Sequence, residues 1–270
     1  MNESPAATLW DPQRWGLPLE AVHDLADRLF HFWERFHGCF QTQTRDSSEY
    51  AYHYLRGQLR METQRNFANI GRQTGVPEQN MQHFMSNSPW SARAVFEQIQ
   101  AEVAATAGLQ QGGVLILDES ADEKAGAKSA GAGRQYNGRL GKVEMSQVGT
   151  FLAYANISGP APVWTWVDGE LFLPESWFAP EMAAERQRLG IPAERGFETK
   201  SELGWRMIQR VQVPFEAVAF DDLYGRSAWL RAQLRQADIV YMADVPQDTQ
   251  VYLSRPEVGV PQPQPGQRGR

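Results

Sequence analysis

The chain has 270 residues, of which 42% are apolar and 21% charged, so its composition is that of a globular protein with one large or two small domains. Its net charge of −6 argues mildly against nucleic acid as a partner, because phosphate binding usually leaves a basic footprint. No apolar run reaches the length of a membrane span, and the single cysteine, Cys39, excludes an intrachain disulfide and fits a reducing cytoplasm.

The N-terminal part of the chain is predicted to be a helical bundle. Apolar residues recur near the helical period of 3.6 over 18–37, 47–60, 62–86 and 88–106. The third segment is interrupted at Gly75, which is the outline of a helix-turn-helix and equally of two packed core helices. Ser88 and Pro89 are predicted to cap and to start the last helix.

The rest of the chain alternates between strand-like and helical patterns. The predicted strands cover 113–118, 147–156, 162–174, 215–220 and 238–244, and the predicted helices cover 175–189, 200–211 and 225–236. A glycine-rich segment over 125–141 is expected to separate the first two strands. This order favours an α/β (α+β) fold with a mixed sheet and flanking helices, as in the ribonuclease-H-like fold, in which the first and fourth strands are adjacent and parallel.

A change in composition at 107–112, Ala-Gly-Leu-Gln-Gln-Gly, is interpreted as the domain boundary. Proline and glutamine dominate after residue 255, where irregular chain is expected. The predicted parts are a loose tail (1–16), a helical domain (17–110), a mixed-sheet domain (111–250) and a Pro/Gln-rich tail (251–270).

Two aspartates follow apolar strand-like runs that are far apart in the sequence. Asp118 follows Gly-Val-Leu-Ile-Leu, and Asp221 follows the run that ends at Phe220. Open α/β sheets place their sites at the carboxyl ends of parallel strands, so neighbouring strands would bring these carboxylates together. Two such groups can hold divalent cations for a phosphodiester displacement. Either aspartate alone is more typical of a turn or a helix N-cap, and only the residues around both favour a metal site.

Residues along nearly the whole chain resemble a known family, most strongly over 113–245. The motifs are Leu-Asp-Glu-Ser (117–120) with Lys124 and Gly126, Gly-Arg-Gln-Tyr-Asn-Gly-Arg-Leu-Gly-Lys-Val-Glu (133–144), Glu170–Pro174 with Trp177, Thr199–Lys200, and Asp221 with Tyr224, Gly225 and Arg226. In this order they resemble the DDE transposases of bacterial insertion sequences, specifically the insertion-sequence 701 group. These are DDE superfamily endonucleases with a ribonuclease-H-like fold.

The resemblance implies that Asp118 and Asp221 hold Mg²⁺ or Mn²⁺ and that the protein cleaves and transfers DNA strands. The implied partners are the terminal inverted repeats of the element and target DNA, with a homodimer as one expected assembly, no membrane, and a cytoplasmic, nucleoid-associated location. The residues expected to contact DNA are Lys124, Arg134, Lys142 and Lys200 near the aspartates and Arg56 and Arg60 in the helical part. Tyr136 is interpreted as a core aromatic in preference to one that stacks on a base.

One part of the family's pattern is not matched. The third catalytic carboxylate of the family is a Glu on a helix well beyond the second Asp, whereas Glu257 is the only glutamate after Asp222. The prolines around Glu257 disfavour a helix. We therefore expect a C-terminally truncated fold without the third ligand, and weak or absent cleavage by this chain. The resemblance thus implies a partial catalytic domain over 111–250 and a helical domain over 17–110 for which DNA binding is one expected role. The alternatives are a non-catalytic DNA-binding or regulatory fragment of a transposase and a degenerate product without a role.

Overall fold

The computed structural model describes residues 18, 20–61, 63–159, 161–250, 253–255 and 259. The predicted tail over 1–16 and most of the one over 251–270 lie outside the described residues. The N-terminal part of the described chain is helical, as predicted. Its helices are α1 (Glu20–His23), α2 (Leu25–Glu34), α3 (Ser48–Arg60), α4 (Phe67–Thr74), α5 (Glu78–Asn87) and α6 (Ala92–Ala105).

Two details of the helical prediction are wrong. The stretch over 18–37 is not one helix, since α1 and α2 are separate and α2 ends at Glu34. The last helix begins at Ala92 and not at Pro89, because Ser91 is its N-cap and accepts a hydrogen bond from the backbone N–H of Ala94. The break between α4 and α5 is confirmed, and Gly75 ends α4 with a φ of 78° that favours glycine.

The remaining described residues build a six-stranded mixed sheet with helices. The strands are β1 (Gly113–Glu123), β2 (Gly133–Asn137), β3 (Lys142–Asn156), β4 (Val163–Leu171), β5 (Ala217–Phe220) and β6 (Tyr241–Ala243), and the helices are α7 (Ala183–Arg188), α8 (Lys200–Arg210), α9 (Asp222–Gly225) and α10 (Ala228–Gln236). Short 3₁₀ turns cover His37–Phe40, Ala107–Leu109, Glu175–Phe178 and Pro180–Met182.

The strand pairing confirms the predicted ribonuclease-H-like mixed sheet. β1 pairs antiparallel with β3 and parallel with β5, β3 also pairs antiparallel with β2 and β4, and β5 pairs parallel with β6. The first strand and the strand before α9 are therefore adjacent and parallel, which was the expectation for the strands that carry the two aspartates.

Two features of the sheet differ from the prediction. The glycine-rich segment contains strand β2, which was not predicted, and β1 continues for five residues beyond Asp118 to Glu123. Both differences arise from the length of β3, which spans 15 residues and pairs with β1 at one part of its length and with β2 at another. A strand partner of this length stabilises backbone that has few apolar side chains of its own.

One face of the sheet forms the core. Leu115 and Leu117 of β1 are fully buried there, and α8 lies against them: a Cβ atom placed on Gly204 would come within 2.5 Å of the Leu117 side chain. The opposite face carries exposed apolar side chains from β1, β4 and β6, among them Ile116, Trp164, Trp166 and Met242. Asp118 alternates with Leu117 and therefore points to the face that is not covered by α8.

The helical part packs directly on the sheet through α6. The Gln100 side chain donates to the carbonyl of Val167 and accepts from the N–H of Gln212. Val103 belongs to the same core as Leu115 and Leu117. The division into a helical domain (17–110) and a catalytic domain (111–250) remains a proposal, and this shared core indicates that the two parts form an extensive interface.

Candidate metal centre and DNA-binding surface

The pairing of β1 with β5 determines where the two aspartates lie. Leu117 is the last residue of β1 that pairs with β5, and its partner is Phe220. Asp118 and Asp221 each follow directly, so both side chains point to the same face of the sheet from adjacent parallel strands. Asp118 is inside β1, where it pairs with Phe151, and is not at the strand end as the sequence indicated.

Each aspartate uses one carboxylate oxygen for a local hydrogen bond. Oδ1 of Asp118 accepts from the N–H of Glu119 at 2.7 Å. Oδ1 of Asp221 caps α9 by accepting from the N–H groups of Leu223 and Tyr224, at 3.1 and 3.5 Å. Within the described residues, the Oδ2 atom of neither aspartate accepts a hydrogen bond, so both remain available to a ligand.

The two carboxylates influence each other. Burial raises the pKa of the Asp221 carboxyl above its usual value, and the negative charge of Asp118 adds to this rise. Repulsion of this kind is relieved by a bound cation, and two carboxylates with free oxygens suit a hard cation such as Mg²⁺. The residues present therefore fit a divalent ion, although no group of three or more His, Cys, Asp or Glu side chains that could hold one occurs in the described part of the chain.

The acidic neighbours of the two aspartates have other partners. Glu119 alternates with Asp118 and points to the opposite face, where its Oε1 forms a 3.0 Å ion pair with Nζ of Lys200. Asp222 pairs with Arg226 at 2.7 Å. The candidate centre accordingly consists of the pair Asp118 and Asp221.

A buried polar cluster lies behind the aspartates on the α8 side of the sheet. Tyr224 and Thr150 are both fully buried, and their hydroxyls make no hydrogen bond of normal geometry within the described chain. Burial raises the pKa of the Tyr224 hydroxyl and the Glu119 charge adds to the rise, while the nearby Thr150 hydroxyl opposes it. Sequence patterns did not indicate this cluster, since its members come from β1, β3 and α9.

The basic residues expected to contact DNA have different environments. Lys124 pairs with Asp122 at 2.7 Å and Lys142 with Glu144 at 3.2 Å. Lys200 is mostly buried in its ion pair with Glu119. By contrast, Arg134 is exposed and forms no ion pair with any described residue.

In the helical part, the guanidinium of Arg56 lies 6.0 Å from the ring centroid of Tyr52, and Arg60 is exposed at the end of α3. These six basic residues therefore differ in burial and in ion pairing. Their roles in DNA binding remain predictions.

The preferred interpretation of Tyr136 is wrong. This side chain is 56% exposed on β2 and does not belong to the core. A strand in the glycine-rich segment would have indicated the alternation of buried and exposed residues that places Tyr136 outside, but no strand was predicted there.

Comparison with known proteins identifies the family. A family model described as "DDE superfamily endonuclease" matches residues 35–270. The chain belongs to this family. It is also 28% identical over 155 residues to a protein of Microchaete diplosiphon described as "Probable transposase for insertion sequence element IS701". That alignment covers 56% of this chain and 36% of the relative, so the chain matches about a third of the relative's length.

No solved structure matches the chain. Among the described residues of this DDE superfamily member, no helix is long and apolar enough to cross a membrane. The predicted family is thus confirmed by sequence comparison, and the fold follows from the strand pairing described above.

Proposed function

We propose that this DDE superfamily endonuclease takes part in DNA strand cleavage and transfer during transposition, and that Asp118 and Asp221 hold a divalent cation, Mg²⁺ or Mn²⁺. The pairing of Leu117 with Phe220 supports this proposal most directly, because it brings two aspartates from distant parts of the sequence to adjacent strands. The raised pKa of Asp221 supports it further, since perturbed carboxyls cluster at functional sites.

The residues of the chain have separate tasks in this proposal. A divalent cation, when bound, stabilises the charge that develops in phosphodiester displacement. Asp118 and Asp221 fix its position from the sheet, while basic side chains neutralise the DNA phosphates. The proposed DNA contacts are Lys124, Arg134, Lys142, Lys200, Arg56 and Arg60, of which Arg134 and Arg60 are the exposed residues without an ion pair in the described chain.

The proposed DNA partners are the terminal inverted repeats of the element and its target DNA. The proposed assembly is a homodimer, and the proposed location is the bacterial cytoplasm in association with the nucleoid. Because only two carboxylates converge in the described residues, we expect cleavage by this chain to be weak. The same observation favours a second candidate function, a non-catalytic transposase fragment that binds DNA and regulates transposition.

Metal binding tests the first proposal independently of cleavage. Titration of Mn²⁺ followed by electron paramagnetic resonance should show binding by the wild-type chain and a large loss of affinity in Asp118→Asn and Asp221→Asn. Asp222→Asn is the matched control, because Asp222 is adjacent and pairs with Arg226, and it should bind Mn²⁺ as the wild type does. Equal binding by all four proteins would remove Asp118 and Asp221 from the metal site.

Cleavage then separates the two functions. Supercoiled plasmid should be nicked slowly by the wild type in Mg²⁺ or Mn²⁺ and not at all by Asp118→Asn. If the wild type binds DNA and Mn²⁺ but its nicking does not exceed that of Asp118→Asn, the regulatory function is favoured. Nicking that persists in Asp118→Asn would mean that the activity does not come from this site.

A further inference from the structure

β2 and the first residues of β3 form a hairpin over 133–146, which continues the sheet beyond the end of β1. Its strands pair from Gly133 with Ser146 to Asn137 with Lys142. The turn is closed by the N–H groups of Leu140 and Gly141, which both bond to the carbonyl of Asn137. Gly141 has a φ of 65°, a conformation that favours glycine in a tight turn. The hairpin is thus a regular two-stranded ribbon.

One face of this ribbon continues the face that carries the two aspartates. Asp118 pairs with Phe151 on β3, and Tyr136 pairs with Val143 on the same strand. Because side chains alternate along β3, Val143 and Phe151 point to one side, and so do their partners Tyr136 and Asp118. Arg134, two residues before Tyr136, shares this side.

The other face of the ribbon is partly covered, although Lys142 on that face has a side chain that is 59% exposed, and the aspartate face is exposed. Asn137 and Ser146 on the covered face are fully buried and joined by a hydrogen bond of 3.1 Å. On the exposed face, Tyr136 and Val143 are 56% and 51% exposed, and Leu140 in the turn is also exposed. A ribbon with one partly buried face and an apolar, solvent-facing side is suited to binding a partner.

The charge around the ribbon indicates which partner. Residues 124–146 contain five basic residues and only one acidic residue, Glu144, so this segment has a net charge of +4 in a chain whose net charge is −6. Asp122, just before the segment, pairs with Lys124 at 2.7 Å and with Arg139 at 3.8 Å. The basic residues are Lys124, Lys128, Arg134, Arg139 and Lys142. All other residues together carry −10. A local positive segment in an acidic protein favours a polyanion over an apolar or acidic protein surface.

We infer that the hairpin over 133–146 is an arm that binds in a groove of duplex DNA. The duplex bound by the arm adjoins the DNA segment that lies at Asp118 and Asp221. A two-stranded β-ribbon fits the major groove, where Tyr136 and Val143 contact base edges and Arg134 contacts phosphate. Tyr136 lies eight residues along β3 from Asp118, or about 27 Å at about 3.4 Å per residue. This length corresponds to about eight base pairs of duplex.

This inference rests on the proposed function, because the distance is measured from the proposed metal ligands. The binding of DNA by the arm is tested by fluorescence anisotropy of the full chain with a mixed-sequence DNA duplex. The titration is repeated over a series of salt concentrations. Tyr136→Ala should weaken binding about tenfold and leave the salt dependence unchanged, because it removes an apolar contact. Tyr136→Phe keeps that contact and should bind as the wild type does.

The arginine variant has a different signature. Arg134→Ala should lower the slope of log affinity against log salt by about one, as expected for one lost phosphate contact. Arg188→Ala is the matched control, since Arg188 is an exposed arginine of α7 whose partner is Glu185, and it should leave the slope unchanged. Circular dichroism of every variant verifies that the fold is retained.

Three outcomes distinguish this inference from the proposed function. If the wild type binds DNA and Tyr136→Ala binds equally well, the arm is refuted while the metal site stands. If Tyr136→Ala instead converts a dimer to a monomer in sedimentation and leaves DNA affinity unchanged, the exposed face contacts a second copy and the inference is wrong. If Mn²⁺ binding fails but Tyr136→Ala weakens DNA binding, the arm stands and the metal site is refuted.

Discussion

Asp118 and Asp221 occupy matching positions on adjacent parallel strands, each one residue beyond the paired Leu117 and Phe220. Two negative charges held in this way repel each other. Burial is the principal cause of the raised pKa of the Asp221 carboxyl, and the charge of Asp118 adds to this rise. In the absence of a cation this arrangement costs stability, which is the expected property of a site organised for a ligand.

The pH dependence of Asp221→Asn is the first prediction. A raised native pKa means that native Asp221 binds its proton more tightly than in the unfolded chain, so the free energy of unfolding falls as the pH rises above the unfolded value of about 3.9. Asn still caps a helix but carries no charge. Without metal, Asp221→Asn should therefore be more stable than the wild type at neutral pH, with a gain that disappears in acid. Thermal unfolding over a pH series measures this.

Asp222→Asn serves as the control for that experiment. Its carboxylate is exposed and paired with Arg226, and its charge makes the smallest contribution to the raised pKa of Asp221, so its removal should give a much smaller gain at neutral pH. A wild type that is as stable as Asp221→Asn at every pH would contradict the predicted repulsion.

A second prediction compares two buried tyrosine hydroxyls. The Tyr154 hydroxyl donates to the carbonyl of Leu109 at 2.7 Å and accepts from Asn156 at 3.1 Å, so Tyr154→Phe leaves buried groups unpaired and should cost about 1–3 kcal/mol. The Tyr224 hydroxyl makes no hydrogen bond of normal geometry in the described chain, so Tyr224→Phe removes an unpaired buried polar group and should not lower stability. Urea unfolding distinguishes them. A large loss in Tyr224→Phe would show that this hydroxyl is bonded to the polar cluster behind the aspartates.

The third prediction concerns the ion network between α6, β4 and α8. Asp168 is fully buried and accepts from Arg93 at 2.7 Å and from Arg210 at 2.7 and 2.8 Å. Asp168→Asn removes the fully buried carboxylate of the network, while Arg210 keeps Glu170 and Arg93 keeps Glu97 as partners. The loss should destabilise the protein by about 1.5–3 kcal/mol, the range for hydrogen bonds to charged groups. Chemical denaturation gives the value.

The control for Asp168 is an ion pair in solvent. Glu185→Gln breaks the exposed pair with Arg188, and no measurable change in stability is expected. Equal effects of the two substitutions would mean that the network does not hold the helical part against the sheet.

The fourth prediction concerns DNA binding by the helical part. Arg60→Ala should reduce the salt dependence of DNA affinity by about one unit of slope without loss of stability, because Arg60 is exposed. Arg56→Ala should in addition lower stability by about 0.5–1 kcal/mol, since the Arg56 guanidinium lies over the Tyr52 ring. Anisotropy titrations and thermal unfolding of both variants provide the measurements. Unchanged slopes in both would assign these arginines to the surface of the bundle alone.

Several features of this protein follow from its sequence alone. The colinear motifs around Asp118, 133–144 and Asp221 identified the family, because a set of residue types in a fixed order is far more specific than any one aspartate. Hydrophobic periodicity located α3, the pair α4 and α5, and the strands β3 to β6, since burial of one face imposes that pattern on any stable element. The choice of Asp118 and Asp221 as a pair also came from the sequence.

Other features depended on the tertiary structure, because they arise from contacts between segments that are distant in the chain. β2 has few apolar residues and is stabilised by its pairing with β3, so periodicity could not indicate it or the exposed position of Tyr136. The ion pair of Lys200 with Glu119 joins α8 to β1, and the burial of Asp168 requires arginines from both α6 and α8. Local sequence determines which elements form, whereas strand register and helix packing decide which charges and rings meet.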